Sequence, residues 1–238
     1  MMAFLGLVAA VNSHRQMPDP LLWMNLKGEM LVAGHAVQPQ FNPGAARVRT
    51  KLGYAYDFSG ERSGILFGDM PALRLTQSIT VSAWLFPRHY AQPGNGSEIL
   101  FRGDDRNGFD PYSFVVEGDG TVNFQIHNEH DQGAKVKADL PLNRWSHVLG
   151  SFDANTGALH LWVNGEQVAF TKTLYRPFAA LLPEYTPGVG MGNIQNNRGP
   201  HNQPYNGVIA DLRMYPACYT PQDIDFDVIG RPDQITPF

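Results

Sequence analysis

The chain has 238 residues, of which 17% are charged, 24 are glycine and 18 are proline, with one cysteine and a formal net charge of −4. Such a length buries about 70% of the unfolded surface, enough for one core without disulfide staples, and a lone cysteine makes no intrachain bridge. The low charge leaves no basic footprint for nucleic acid, and the apolar run AFLGLVAAV at 3–11 is too short to cross a bilayer. Neither a composition break nor an internal repeat divides the chain, so residues 1–20 form an apolar arm and 21–238 a single domain.

In chain order, LLWMNL at 21–26 is the first expected strand. Residues 27–49 form a long connection with at most one short strand around Leu31, because Gly34, Pro39, Pro43 and Gly44 interrupt any period. Alternation then predicts strands at 54–58, 65–67, 79–86, 98–101, 112–116, 121–126 and 136–140, with GDG at 118–120 as a hairpin turn. RWSHVLGSFDANTGALHLWVNGEQV at 144–168 is the most explicit stretch, two half-buried strands and a hairpin. Val148 and Phe152 face one way, and Trp145, His147 and Leu149 the other. DANTG turns the chain, Leu159, Leu161 and Val163 share a face, and Asn164-Gly165 tolerates the positive φ of a two-residue hairpin. Strands at 188–191 and 208–215 bring the number to about a dozen, enough for two packed sheets. One short C-terminal helix follows, capped by Thr220, with Pro221 first, Asp223 third and Gly230 as its stop. The fold class is all-β, a two-sheet antiparallel sandwich.

Four of these blocks resemble the laminin G-like jelly roll of the concanavalin A-like lectin and glucanase family. They are the W-x-H-V strand at 145–148 with its LWVNG hairpin, GYAYDFSG at 53–60, ITVSAWLFP at 79–87, and YNGVIADLRMYPACYTPQDI at 205–224. In that order they cover most of 50–225, and the resemblance implies a jelly roll whose members have many different functions. It also implies a structural calcium ion, held by an aspartate near the last strand, here Asp211, and by carbonyls near Asn25 and Gly60. WMNL and FSG stand where the family often has further acids, so Asp211 is either a calcium ligand or a buried acid facing Arg213. No other cofactor is indicated.

Catalytic patterns are missing from the sequence. Related β-glucanases carry E-x-D-x-x-E on one strand, whereas EHDQGA at 129–134 places Ala134 where the acid/base belongs. Glycoside cleavage needs two carboxyl groups, so no enzyme is expected. His127, Glu129, His130 and Asp131 are ligand-type residues that still require a metal ligand from another loop; otherwise they form a solvated turn. Cys218 is expected to be a small buried hydrophobe. Recognition is expected in two loops: RGDDRNGFDPY, with Arg102, Asp104, Asp105, Asp110 and Tyr112, and GNIQNNRGPHNQPYNG, with Asn196, Asn197, His201 and Tyr205. Both mix hydrogen-bonding groups with rings in a way suited to sugars, and both are also plain turn chemistry. Two functions follow. The first is a non-catalytic attachment protein, a capsid decoration or tail fibre component on a virion surface, anchored to a capsid, tail or scaffold subunit by its arm and assembling as a homo-oligomer. The alternative is a secreted or cell-surface lectin-like module that binds a glycan, with or without calcium.

Overall fold

The computed structural model describes residues 17–50, 53–104, 106, 108–185, 188–194 and 202–224. Its strands are β1 (Leu22–Met24), β2 (Met30–Val32), β3 (His35–Ala36), β4 (Gln40–Phe41), β5 (Ala45–Arg49), β6 (Tyr54–Ser59), β7 (Ile65–Gly68), β8 (Ile79–His89) and β9 (Gly96–Gly103). They continue with β10 (Tyr112–Glu117), β11 (Thr121–His127), β12 (Gly133–Asp139), β13 (Ser146–Phe152), β14 (Ala158–Val163), β15 (Glu166–Lys172), β16 (Gly188–Met191) and β17 (Asn206–Tyr215). Two antiparallel sheets result. The larger, of ten strands, runs β15-β14-β13-β8-β17-β1-β2-β3, with β6 also on β17 and β5 on β6; the smaller, of seven, runs β12-β11-β10-β9-β16-β7-β4. This is the jelly-roll sandwich that the sequence implies.

Local chemistry explains the pairing. Asn164 (φ 52) and Gly165 (φ 84) make the two-residue turn that brings Val163 opposite Glu166. Residues 27–49 depart from expectation, since they hold four strands, β2 to β5, instead of at most one. β2 is the strand expected around Leu31, with Met30 and Val32 buried, whereas β3 to β5 are two to five residues long and mostly exposed, so no apolar period marks them. Hydrogen bonding to neighbours makes them: Ala33 (φ 49) and Gly34 (φ 77) turn β2 into β3, β4 pairs with β7, and β5 with β6. At the other end, the amide and hydroxyl of Thr220 donate to the Asp223 carboxylate, at 2.9 and 2.8 Å, around a turn at 221–224. The rest of the expected helix, to Gly230, lies outside the described residues, as do residues 1–16 of the arm.

Between the sheets, Val148, Phe152, Leu159 and Leu161 meet Phe114, Val116, Phe124 and Ile126 from the opposite layer. Gly150 is essential to that contact. A Cβ there would stand 2.4 Å from Phe124 Cγ, so only a glycine lets β13 approach the ring. The outward face of the larger sheet is apolar too: Trp84, Trp145, Leu149, Trp162, Val208 and Ala210 form a second cluster, joined by Tyr215 and Ile224. β13 is therefore buried along its whole length rather than half-buried. His147 lies inside this cluster, edge-on to Trp84 with centroids 5.3 Å apart, and burial followed by the Arg213 charge pushes it down to about 3.

Candidate functional site

The residues expected to recognise a ligand are placed mostly in the framework. Arg102 is fully buried at the end of β9, where its guanidinium donates to the carbonyls of Phe178 (3.0 Å) and Ala179 (2.6 Å) and to Asp69 Oδ1 (2.9 Å). It clamps a loop, and the RGD string it opens is no exposed motif. Asp104 accepts from Arg106 and from the Leu182 amide, which hold its carboxyl below the usual range against the opposing effect of burial. Tyr112 is buried and donates to the Leu73 carbonyl at 2.7 Å, and Tyr205 is buried edge-on to Phe58. Asp110 is buried as well, against Gly103. Asp105, Asn196, Asn197 and His201 fall outside the described residues.

The calcium geometry does not fit. Asp211 lies at a register shift in β17 with φ 48. Its Oδ1 accepts from Trp23 Nε1 (2.8 Å) and Arg213 Nε (3.0 Å), and its Oδ2 from Arg213 Nη2 (2.8 Å), so a guanidinium stands where the ion would. Gly60 packs against Asn206, at the other end of β17, about 16 Å away at about 3.3 Å per residue. Calcium holds its oxygens at about 2.3–2.6 Å. Asn25 Oδ1 instead accepts the amides of Lys27 and Glu29 in its own turn. Asp211 is thus the buried acid facing Arg213. Among the described residues no group of three His, Cys, Asp or Glu side chains is placed to hold a metal. His127 lies 3.7 Å from Asp131, and Glu129, His130 and Asp131 are exposed in the turn between β11 and β12. Cys218 is half-buried, with its sulfur 3.5 Å from Ser151 Oγ, and burial raises its thiol pKa.

A polar surface does exist on the outward face of the smaller sheet. In β10, Tyr112, Phe114 and Val116 point to the core, so Ser113, Val115 and Glu117 point away. The same alternation sends Asn123, Gln125 and His127 of β11, and Lys135 and Lys137 of β12, to that face. Register aligns them in rows, Ser113 beside Gln125 beside Lys135, and Val115 beside Asn123 beside Lys137. Gln125 Nε2 donates to Ser113 Oγ (2.8 Å), and Asn123 Nδ2 to Glu117 Oε1 (2.5 Å). Exposure rises from buried Ser113 and Asn123 through half-buried Gln125 to exposed Lys135 and Lys137. The row ends nearest solvent are amide and ammonium groups, with Lys135 Nζ 4.0 Å from Glu117 and Lys137 Nζ 3.2 Å from Asp119.

Toward β9 the face is covered by an amide-rich strap. Glu98 N donates to the Gln203 carbonyl (2.9 Å), while Asn193 Oδ1 accepts from Gln203 N and Asn193 Nδ2 donates to Asn202. Beneath it lies Glu98, opposite Val115, with Phe101 opposite Ser113. Gly103 leaves room for Asp110, since a Cβ there would fall 2.7 Å from Asp110 Oδ1 and 2.5 Å from the Phe101 ring. Burial, then the Asp131 and Asp104 charges, push Asp110 up to about 8. Burial and then Asp110 push Glu98 well above the carboxylate range, opposed by the Ile194 N–H. At neutral pH Asp110 is therefore mostly a neutral acid able to donate as well as accept. Sequence reasoning passed over Glu98, Ser113, Asn123 and Gln125, although the polar members of SFVVE and NFQIH fall at every second position.

A two-layer antiparallel sandwich with one apolar and one hydrogen-bonding outer face is a jelly roll of the lectin-like class. The model of the concanavalin A-like lectin/glucanases superfamily matches residues 59–225, and the chain belongs to that superfamily. No curated protein matches it by sequence. Among solved structures it is similar to the botulinum neurotoxin serotype D ligand binding domain in complex with N-acetylneuraminic acid, at 13% identity and a TM-score of 0.65, covering 89% of this chain and 51% of that one. It is also similar to the binding domain of Paraclostridial Mosquitocidal Protein 1, at 12% identity and 0.63, covering 83% and 48%. The chain thus spans about half the length of these toxin domains. Domain 4 of AbnA, a GH43 extracellular arabinanase from Geobacillus stearothermophilus, in complex with arabinotriose, matches at 16% identity and a TM-score of 0.61, covering 88% of this chain and 98% of that one. Among the described residues no helix is long and apolar enough to cross a membrane.

Proposed function

We propose that the protein is a non-catalytic saccharide-binding module that holds its ligand on the outward face of the smaller sheet. The observation that carries this reading is the pair of cross-strand rows, Ser113–Gln125–Lys135 and Val115–Asn123–Lys137, with Glu117 hydrogen-bonded to Asn123. Sugars are held by planar sets of hydrogen-bonding groups whose orientation is fixed in advance, and a sheet supplies that fixity better than a loop. The match to an arabinanase domain bound to arabinotriose, over nearly the whole of both chains, supports it, as does the match to a toxin domain bound to N-acetylneuraminic acid. An attachment role on a virion gains no such support, because the relatives named above are binding domains.

The test is binding of the intact chain to an array of neutral and acidic oligosaccharides, followed by titration of the strongest. Gln125→Ala and Lys135→Ala should each weaken binding about two- to tenfold, the worth of one hydrogen bond, without changing thermal unfolding. An array with no bound saccharide, or a double variant that binds as well as the parent, refutes the assignment. Release of reducing sugar from the bound ligand would refute the non-catalytic part alone.

A further inference from the structure

A cleft of about 280 Å³ opens at the opposite edge of the smaller sheet, where the β2–β3 hairpin and β4 approach β5 and β6. Glu29, Met30, Val37, Phe41, Arg47 and Tyr56 are among its walls. Phe41 is 45% exposed, on a strand of two residues, and its ring tilts against Tyr56 with centroids 5.8 Å apart. The Tyr56 hydroxyl donates to the Gly28 carbonyl at 3.1 Å, which fixes the second ring. An apolar plate is therefore held open to solvent beside a rigid wall.

The charged wall is equally well placed. The Arg47 guanidinium lies over the Tyr54 ring, 4.6 Å from its centroid, and Arg49 approaches the same ring at 5.7 Å. Gly28 makes this possible, since a Cβ there would fall 3.0 Å from Arg47 Cδ and 3.2 Å from its Nη1. Among the described residues no carboxylate forms an ion pair with Arg47. The one acid in the walls, Glu29, accepts from Asn25 Nδ2 at 2.8 Å. With Lys27 and Arg49 on the same segments, this edge is locally positive on a chain of net charge −4.

We infer that this cleft is a second binding site, specific for a sugar ring that bears a carboxylate, of the uronic or sialic acid type. The apolar face of the ring stacks on Phe41, and the guanidinium takes the carboxylate as a two-bond fork. Stacking on Tyr54 positions the fork before the ligand arrives, so little side-chain entropy is lost on binding. Glu29 opposes a dianion, which favours a singly charged carboxylate over phosphate. This site stands independently of the sheet face, four to six strand spacings away along the smaller sheet.

The experiment titrates the full chain with trigalacturonate against galactotriose, and with sialyllactose against lactose. At least one acidic probe should bind about tenfold or more tightly than its uncharged counterpart, the worth of a charge-assisted hydrogen bond, and added salt should narrow the gap. Arg47→Ala should abolish the preference, Arg47→Lys should keep only part of it, and Phe41→Ala should weaken the acidic probe, all with unchanged thermal unfolding. Equal affinities, no saturation by either acidic probe, full competition by inorganic phosphate, or an Arg47→Ala variant that binds as before overturns the inference. Loss of the acidic probe in Gln125→Ala but not in Arg47→Ala also overturns it, while leaving the sheet-face reading intact.

Discussion

Stability should fall as pH rises from about 5 to about 8, opposite to the trend set by salt-bridged carboxylates, and Asp110 is the main cause. In an unfolded chain an aspartate titrates near 3.9. In the folded protein burial, Asp131 and Asp104 raise Asp110 to about 8. Between those values the native state keeps a proton that the unfolded state has released. The stabilisation is present in full below the unfolded value and is lost as pH climbs through the folded one, at about 1.4 kcal/mol per pH unit. From pH 5 to 7 the loss is about 3 kcal/mol, a large share of a typical domain's 5–15 kcal/mol. Glu98, raised by burial and by Asp110, acts in the same direction, and the two titrate as a coupled pair. Asp110→Asn removes the titrating group at nearly constant shape, so the variant should match the parent below about pH 4 and exceed its stability by a growing margin as pH rises to about 7. Urea unfolding followed by tryptophan fluorescence across this range measures both. A parent whose stability is flat or rises from pH 5 to 8, or an Asp110→Asn profile parallel to it, refutes the reasoning.

Asp211→Ala should cost about 3–5 kcal/mol, because it leaves the buried Arg213 guanidinium unpaired, and chemical denaturation measures it. Calcium and chelators should leave the melting temperature of the parent unchanged, since that guanidinium already occupies the Asp211 carboxylate; a calcium-dependent rise would reject this. Gly150→Ala should cost about 1–3 kcal/mol by driving a methyl group into the Phe124 ring, again read by denaturation. Arg102→Met should cost about 3 kcal/mol or more and free the loop whose Phe178 and Ala179 carbonyls it clamps. Faster chymotryptic cleavage after Phe178 would report that release.

The fold was legible where periodicity and turn chemistry agreed. Asn164-Gly165 demanded positive φ at two successive residues, and Val148 with Phe152 marked an inner face, so the central hairpin followed from residue type alone. Of the strands between 30 and 49 only β2, around Leu31, was legible; β3, β4 and β5 were not, because exposed edge strands carry no apolar alternation and exist through backbone pairing with β2, β7 and β6. The site was harder still. Arg102, Asp104 and Tyr112 look like recognition residues in a string, yet burial turns each into a clamp on backbone carbonyls or amides. Conversely, Ser113 and Gln125 look like ordinary strand residues until β10 and β11 are set in register. Arg47 and Phe41 are brought into one cleft by pairing that the sequence does not announce.

The distribution of apolar surface limits where function can reside. The central strands of the larger sheet bury Trp84, Leu149 and Trp162 on one face and Val148, Phe152 and Leu161 on the other, so they have little polar area to offer, while its exposed edge strand β5 contributes Arg47 to the cleft. Recognition is left to the outward face of the smaller sheet and to its two margins. Those margins, Lys135 on β12 and Phe41 on β4, are separated by six strand spacings, about 29 Å at about 4.8 Å each. A short oligosaccharide reaches one of them at a time, while a long acidic polysaccharide can engage both. Bivalent engagement multiplies weak affinities, so a polymer should bind more tightly than trimers of the same sugar. The excess should vanish when either Arg47 or Lys135 is replaced by alanine.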